Sequence, residues 1–162
     1  MNDDPTAVDP TALDADVHRD LGVALYNHVW SLLEIPNRTP AQDDEMLHAA
    51  HASRYHWSLA EGAHEINLGR GEWQCSRVYA VLGRAEPALW HARRCLDHVR
   101  IGGPSTKDWD LAAAYEGMAR ALAVAGDREA AAWKARAVEA LDGIEDPEDR
   151  EPIAADIASL PI

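Results

Sequence analysis

Between residues 13 and 34 apolar side chains recur at Val17, Leu21, Ala24, Leu25, Val29 and Leu32. That three-to-four spacing is the mark of a helix burying one stripe. The segment IPNRTP (35–40) interrupts it, because proline removes a backbone donor and clashes with the preceding turn. Thr39 followed by Pro40 reads as an N-cap with proline in the first helical position. Asp43, Asp44 and Glu45 then occupy the opening turns, where carboxylates favour the positive end of the helix macrodipole. A second helix is expected over about 40–61, stopping near Gly62. The same punctuation predicts helices at about 64–82, 85–101, 107–125, 128–142 and 147–158. Their boundaries are Gly83, the loop IGGPSTKD (101–108), Gly126 and the stretch from Gly143 to Pro147. No segment alternates with a period of two, so the expected fold is all-α, with about seven helices.

An internal repeat organises the second half. The segment RVYAVLGRAEPALWHAR (77–93) aligns with RALAVAGDREAAAWKAR (120–136) at an offset of 43, with nine of seventeen positions identical. Alanine inflates that figure, but the paired Gly83/Gly126, Trp90/Trp133 and Arg77/Arg120 do not depend on it. Each unit reads as a helix closed by a left-handed glycine, a short turn, and a second helix with a small residue at a close crossing. This arrangement resembles the tetratricopeptide repeat, in which a turn glycine is followed five residues later by alanine. Gly83 with Ala88 and Gly126 with Ala131 fit that pattern, and Cys95 and Val138 fill the later small position. The resemblance covers about residues 66–142 and departs from the family in its 43-residue offset and in Ser76 and Ala119 at the usual mid-helix glycine. It implies antiparallel helix pairs stacked as a short right-handed array. The expected organisation is a flexible acidic arm (1–12), a first helix pair (13–62), repeat units at 64–101 and 107–142, and a terminal helix at 147–158.

Composition narrows the function classes. Of 162 residues 47% are apolar, enough for a real core, and alanine-rich, phenylalanine-free usage favours helices. A net charge of −13 repels phosphate backbones, so nucleic acid is not an expected partner. No apolar run reaches the roughly 20 residues that cross a bilayer. The acidic start MNDDPTAVDP lacks the basic and apolar regions of a signal peptide. A cytoplasmic location is therefore expected, with Cys75 and Cys95 as buried thiols rather than a disulfide.

Candidate chemistry concentrates in DDEMLHAAHASRYHW (43–57). At 100° per residue Asp44, His48, His51 and Tyr55 share one face of the second helix, with Leu47 at its edge and His56 pointing away. His28, between Leu25 and Val29, falls on what reads as the buried face of the first helix and can approach that stripe if the two helices are antiparallel. Asp44, His48, His51 and His28 are thus the candidate ligands for a divalent metal such as zinc. His48 and His51, with Tyr55 and Arg54 assisting, are candidates for hydrolytic acid–base work. The plainer reading makes these histidines hydrogen-bonding bridges between helices, with no cofactor at all. Gly69-Arg70-Gly71 lacks the lysine and hydroxyl of a phosphate loop, and His91, Arg93 and Arg94 form a small basic spot.

Two functions from different classes follow. The first is a helical-repeat module binding a protein or peptide and self-associating as a homo-oligomer. Its groove would be lined by the first helices of successive pairs, and this is an analogy from fold alone. Arg77 and Arg120 would clamp a carboxylate, with Trp90 and Trp133 as further binding candidates. The second is a small metal-binding or hydrolytic enzyme built on the histidine stretch. Sequence leaves open whether the chain is an enzyme.

Overall fold

The computed structural model describes residues 12–162. The arm expected over residues 1–12 lies, up to residue 11, outside the described residues. The described chain is all-α. Its helices are α1 (Ala15–Leu33), α2 (Pro40–Leu59), α3 (Glu65–Val81), α4 (Ala85–Ile101), α5 (Trp109–Val124), α6 (Ala130–Ala140) and α7 (Pro147–Ala158), with a 3-10 turn at Leu141–Gly143. Successive helices pack against one another from α1 to α6, and α7 returns onto α5 and α6. Thr39 caps α2 as its sequence foretells: its side chain accepts from the Gln42 N–H, and the Gln42 side-chain Oε1 accepts from the Thr39 N–H.

Gly83 and Gly126 close α3 and α5 identically. Their φ angles are +70° and +68°, the left-handed region that favours glycine. Gly83 N–H donates to Ala80 O and Arg84 N–H to Tyr79 O; in α5, Gly126 N–H donates to Ala123 O and Asp127 N–H to Leu122 O. Both sets are Schellman closures, and they occupy positions 43 residues apart.

The equivalence ends at the second helices. Ala88 and Cys95 are buried in α4, as expected, but their counterparts Ala131 and Val138 are exposed, Val138 by 49%. Ala130 and Ala137 are buried instead. The cause lies in the first turn. In α4 the Ala88 N–H reaches back four residues to Arg84 O, whereas Ala130 and Ala132 reach back three, to Asp127 O and Glu129 O. The Asp127 carboxylate, accepting from the Glu129 N–H at 2.9 Å, holds this tighter start. A 3-10 turn has about 3.0 residues instead of 3.6, so α6 enters rotated and its buried face shifts by one residue.

In α1 the stripe also differs from the expected one. Val17 and Ala24 are exposed, while His18, Gly22, Val29 and Leu32 are buried. Close approach of α2 decides this. A Cβ on Gly22 would lie 3.0 Å from the Trp57 ring, Ser53 Oγ donates to Gly22 O at 2.7 Å, and the His18 and His56 Nδ1 atoms are 2.8 Å apart.

The central helix α3 is buried on nearly every face from Gly69 to Val78 although it carries Glu72, Gln74 and Ser76. Each polar side chain bonds a different neighbour: Gln74 Nε2 donates to Tyr26 O of α1, Ser76 Oγ to Ala88 O of α4, and Glu72 accepts from α2 and α4. Gln74 Oε1 is left without a partner among the described residues. The glycines of Gly69-Arg70-Gly71 allow the packing on two sides. A Cβ on Gly69 would sit 2.9 Å from His98 Cβ of α4, and one on Gly71 would sit 2.7 Å from Arg54 Cδ of α2.

Candidate functional site

The first helices of the three pairs, α1, α3 and α5, line an apolar pocket of about 170 Å³, which α7 and the Cys95–Val99 turn of α4 complete. Tyr26 and Trp30 come from α1, Trp73 from α3, Trp109 from α5 and Ile153 from α7. Their spacing is the helical one: Tyr26 and Trp30 are four apart, and their rings meet edge to face at 6.4 Å. Trp30 lies 5.5 Å from Trp73. Burial pushes the Tyr26 phenol up to about 12, so it stays neutral at physiological pH. At the rim Arg70 donates twice to Asp110, from Nε and Nη2, both at 2.9 Å. This fork holds the guanidinium over the Trp109 ring, 4.4 Å from its centroid. Asp110, 2% exposed, also accepts from the Lys107 N–H at the start of α5. The buried Trp73 indole N–H lies beside Gly117 and has no hydrogen-bond partner among the described residues.

Next to this pocket the repeat arginines meet carboxylates of their own chain. Arg77 donates to Glu116 Oε1 at 3.1 Å and to Asp156 Oδ1 of α7. Arg120 donates to the same Glu116 oxygen at 2.6 Å and also to Asp156 O and Ser159 Oγ. The two guanidinium groups therefore face inward onto α5 and α7. Burial pushes the Glu116 carboxyl up, and the Arg120 and Arg77 charges offset this only in part. Both guanidinium groups donate to Glu116 Oε1, so Glu116→Gln, which keeps an acceptor but removes the charge, is expected to cost about 1.5–3 kcal/mol in urea denaturation. No measurable loss would show that the charge contributes nothing. Trp90 is 51% exposed beneath Arg94, and Trp133 is partly buried against Tyr115.

The histidine stretch does not stay together. His48 and Asp44 are both exposed and 3.5 Å apart. His28 is exposed, not buried as its neighbours implied, and bonds Glu45 at 2.8 Å; it does approach α2, but one residue away from Asp44. Tyr55 is 45% exposed. Of the stripe Asp44, His48, His51 and Tyr55, His51 alone turns inward, where its Nε2 lies 2.9 Å from Tyr79 Oη and its ring 5.3 Å from that of His91. Burial, with the nearby His91, lowers the His51 pKa and favours the neutral imidazole.

A polar centre that no sequence motif announced lies behind His51. Glu72, 2% exposed, accepts from Arg54 Nε at 2.9 Å, Arg94 Nε at 3.0 Å and His91 Nδ1 at 2.7 Å. Burial alone would raise this carboxyl, but the hydrogen bonds from His91 and Arg94 and the Arg54 and Arg94 charges hold it down at about 2. His91 and Arg94 thus turn toward α3, His91 buried and Arg94 still partly exposed, while Arg93 stays on the surface. Cys75 and Cys95 are free and buried, and burial pushes the Cys75 thiol up to about 12. A nitrogen of His51, the Cys75 sulfur and a nitrogen of His91 lie within 4.8 Å of one another, the donor set in the described chain best placed to hold a metal.

No helix among the described residues is long and apolar enough to cross a membrane. Searches of protein-family models, curated proteins and solved structures find no match to the chain.

Proposed function

We propose that the chain is a non-enzymatic helical-repeat module that binds a peptide segment by taking one apolar side chain into the pocket between α1, α3 and α5. The pocket's size carries this reading. A volume near 170 Å³ is far below the roughly 300–1,000 Å³ of sites that enclose a whole small molecule. It is close to the roughly 150 Å³ cavity that holds a benzene ring. It therefore suits the tip of a single leucine- or phenylalanine-sized anchor, with the rest of the peptide lying outside. The helix α7, which supplies Pro152, Ile153 and Asp156 to the lining, opens with exposed Glu148, Asp149 and Glu151, and the chain as a whole is at −13. The matching peptide presents its anchor among basic residues. Arg77 and Arg120, engaged by Glu116 and Asp156, serve here as supports for the α7 wall.

Selection from a random peptide library on the immobilised protein tests this. Enriched peptides are expected to share one large apolar residue flanked by lysine or arginine. Ala113→Phe, which fills the pocket from α5, is expected to weaken their binding at least tenfold while preserving helix content. Peptides without a common apolar anchor, or binding unchanged by Ala113→Phe, would overturn the assignment.

A further inference from the structure

We propose that His51, Cys75 and His91 form a binding site for a borderline-to-soft transition metal ion, with zinc(II) the best fit, held between α2, α3 and α4. This site is separate from the aromatic pocket and does not depend on the function proposed for it.

Three arguments converge. The first is distance. Three donor atoms mutually within 4.8 Å share a point no more than about 2.8 Å from each. Zinc bonds nitrogen at about 2.0–2.1 Å and thiolate at about 2.3 Å, so inward movement of at most about 0.5–0.7 Å per donor completes the coordination. The donors sit on three different helices, and rotamer adjustment of His51, which is only partly buried, supplies that movement.

The second is chemistry. One thiolate and two neutral imidazoles form a borderline set that prefers zinc, cobalt or copper to magnesium or calcium, which take oxygen. A cysteine ligates as its thiolate and a histidine as its neutral imidazole. Binding therefore releases the thiol proton to solvent as the metal–sulfur bond forms, and the metal's charge stabilises the thiolate.

The third is the supporting shell. His91 Nδ1 donates to Glu72 Oε2, which leaves Nε2 with the lone pair that a metal needs. A carboxylate behind a ligating histidine is the usual device for fixing tautomer and ring orientation at metal centres. Here Arg54 and Arg94 anchor that carboxylate in turn. The Tyr79 ring stacks on His91 at 5.6 Å and its hydroxyl meets His51, fencing the remaining side. Three protein ligands leave a fourth tetrahedral position for water or a small donor.

The test uses the full-length, tag-free protein, stripped with a chelator and titrated with cobalt(II) as a spectroscopic probe. A thiolate-to-cobalt charge-transfer band saturating at one equivalent, and abolished by added zinc(II), is the expected result. Cys75→Ser and His91→Ala should remove the band, Glu72→Gln should weaken binding about 10–100-fold, and His48→Ala should leave it unchanged. If a buried-site variant fails to fold, His51→Ala, at a partly exposed position, replaces it and should weaken binding at least tenfold. Absence of the band in the unaltered protein, or its survival in folded Cys75→Ser or at full affinity in His51→Ala, would overturn the site.

Discussion

Glu72→Ala is expected to destabilise the protein by about 3–5 kcal/mol. The Glu72 side chain is 3% exposed and collects donors from three residues. Removing it strands Arg54, itself 17% exposed, without its partner inside the α2–α3–α4 junction. Arg94 is 42% exposed and recovers part of its hydration, so it contributes less. Glu72→Gln is expected to fall between, since an amide keeps the shape but cannot accept from all three donors. The same carboxyl makes a pH prediction with a definite sign. It is held at about 2 against an ordinary 4.5, so its stabilisation is complete above the ordinary value and declines as pH falls toward 2. The gap between wild type and Glu72→Ala in urea unfolding should therefore be widest near neutrality and narrow steadily below about pH 4.5. A gap that stays constant down to about pH 2.5 would show that the ionised form contributes nothing.

Gly69→Leu is expected to cost about 2–3 kcal/mol even though leucine is the better helix former by nearly 1 kcal/mol. The Cβ alone would stand 2.9 Å from His98 Cβ, an atom tied closely to the α4 backbone, with Cys95 O at 3.7 Å. His98 has little room to retreat, because its Nδ1 is bonded to Glu65 Oε2. The two helices must separate, and Ile66, Cys95 and Val99 lose packing with them. Gly143→Ala is the control: a Cβ there meets nothing within 4 Å, and the change should be neutral or stabilising by up to about 1 kcal/mol. Thermal unfolding of the two variants side by side distinguishes a crowding effect from a general intolerance of glycine replacement.

Much of the helical frame was readable from local signals. Thr39-Pro40 and the glycine-closed ends of α3 and α5 depend on a few adjacent residues, and local rules govern such ends well. What escaped was decided by neighbours distant in sequence. The buried face of α1 runs through His18 and Gly22 because α2 approaches closely there, and apolar spacing gave no hint of that. The one-residue rotation of α6 came from Asp127 standing where the first unit has Arg84, a difference visible in the alignment but silent about geometry. The histidine stretch misled because a helical-wheel stripe does not say which of its members another helix will reach; His51 was reached and His48 was not. The Glu72 centre had one available signal, a charged residue in the middle of a glycine-containing helix that is buried all round. Its partners lie 18, 19 and 22 residues away, beyond any motif.

The return of α7 has a kinetic and thermodynamic corollary. Stacked helix pairs ordinarily fray from their ends, each unit melting by its own nearest-neighbour balance. Here Asp156 ties the last helix to Arg77 of the third, 79 residues earlier, and Ile153 and Ile157 plug into the same core. The final pair cannot peel away without tearing the middle, so an architecture made of modular units is expected to melt as one cooperative block.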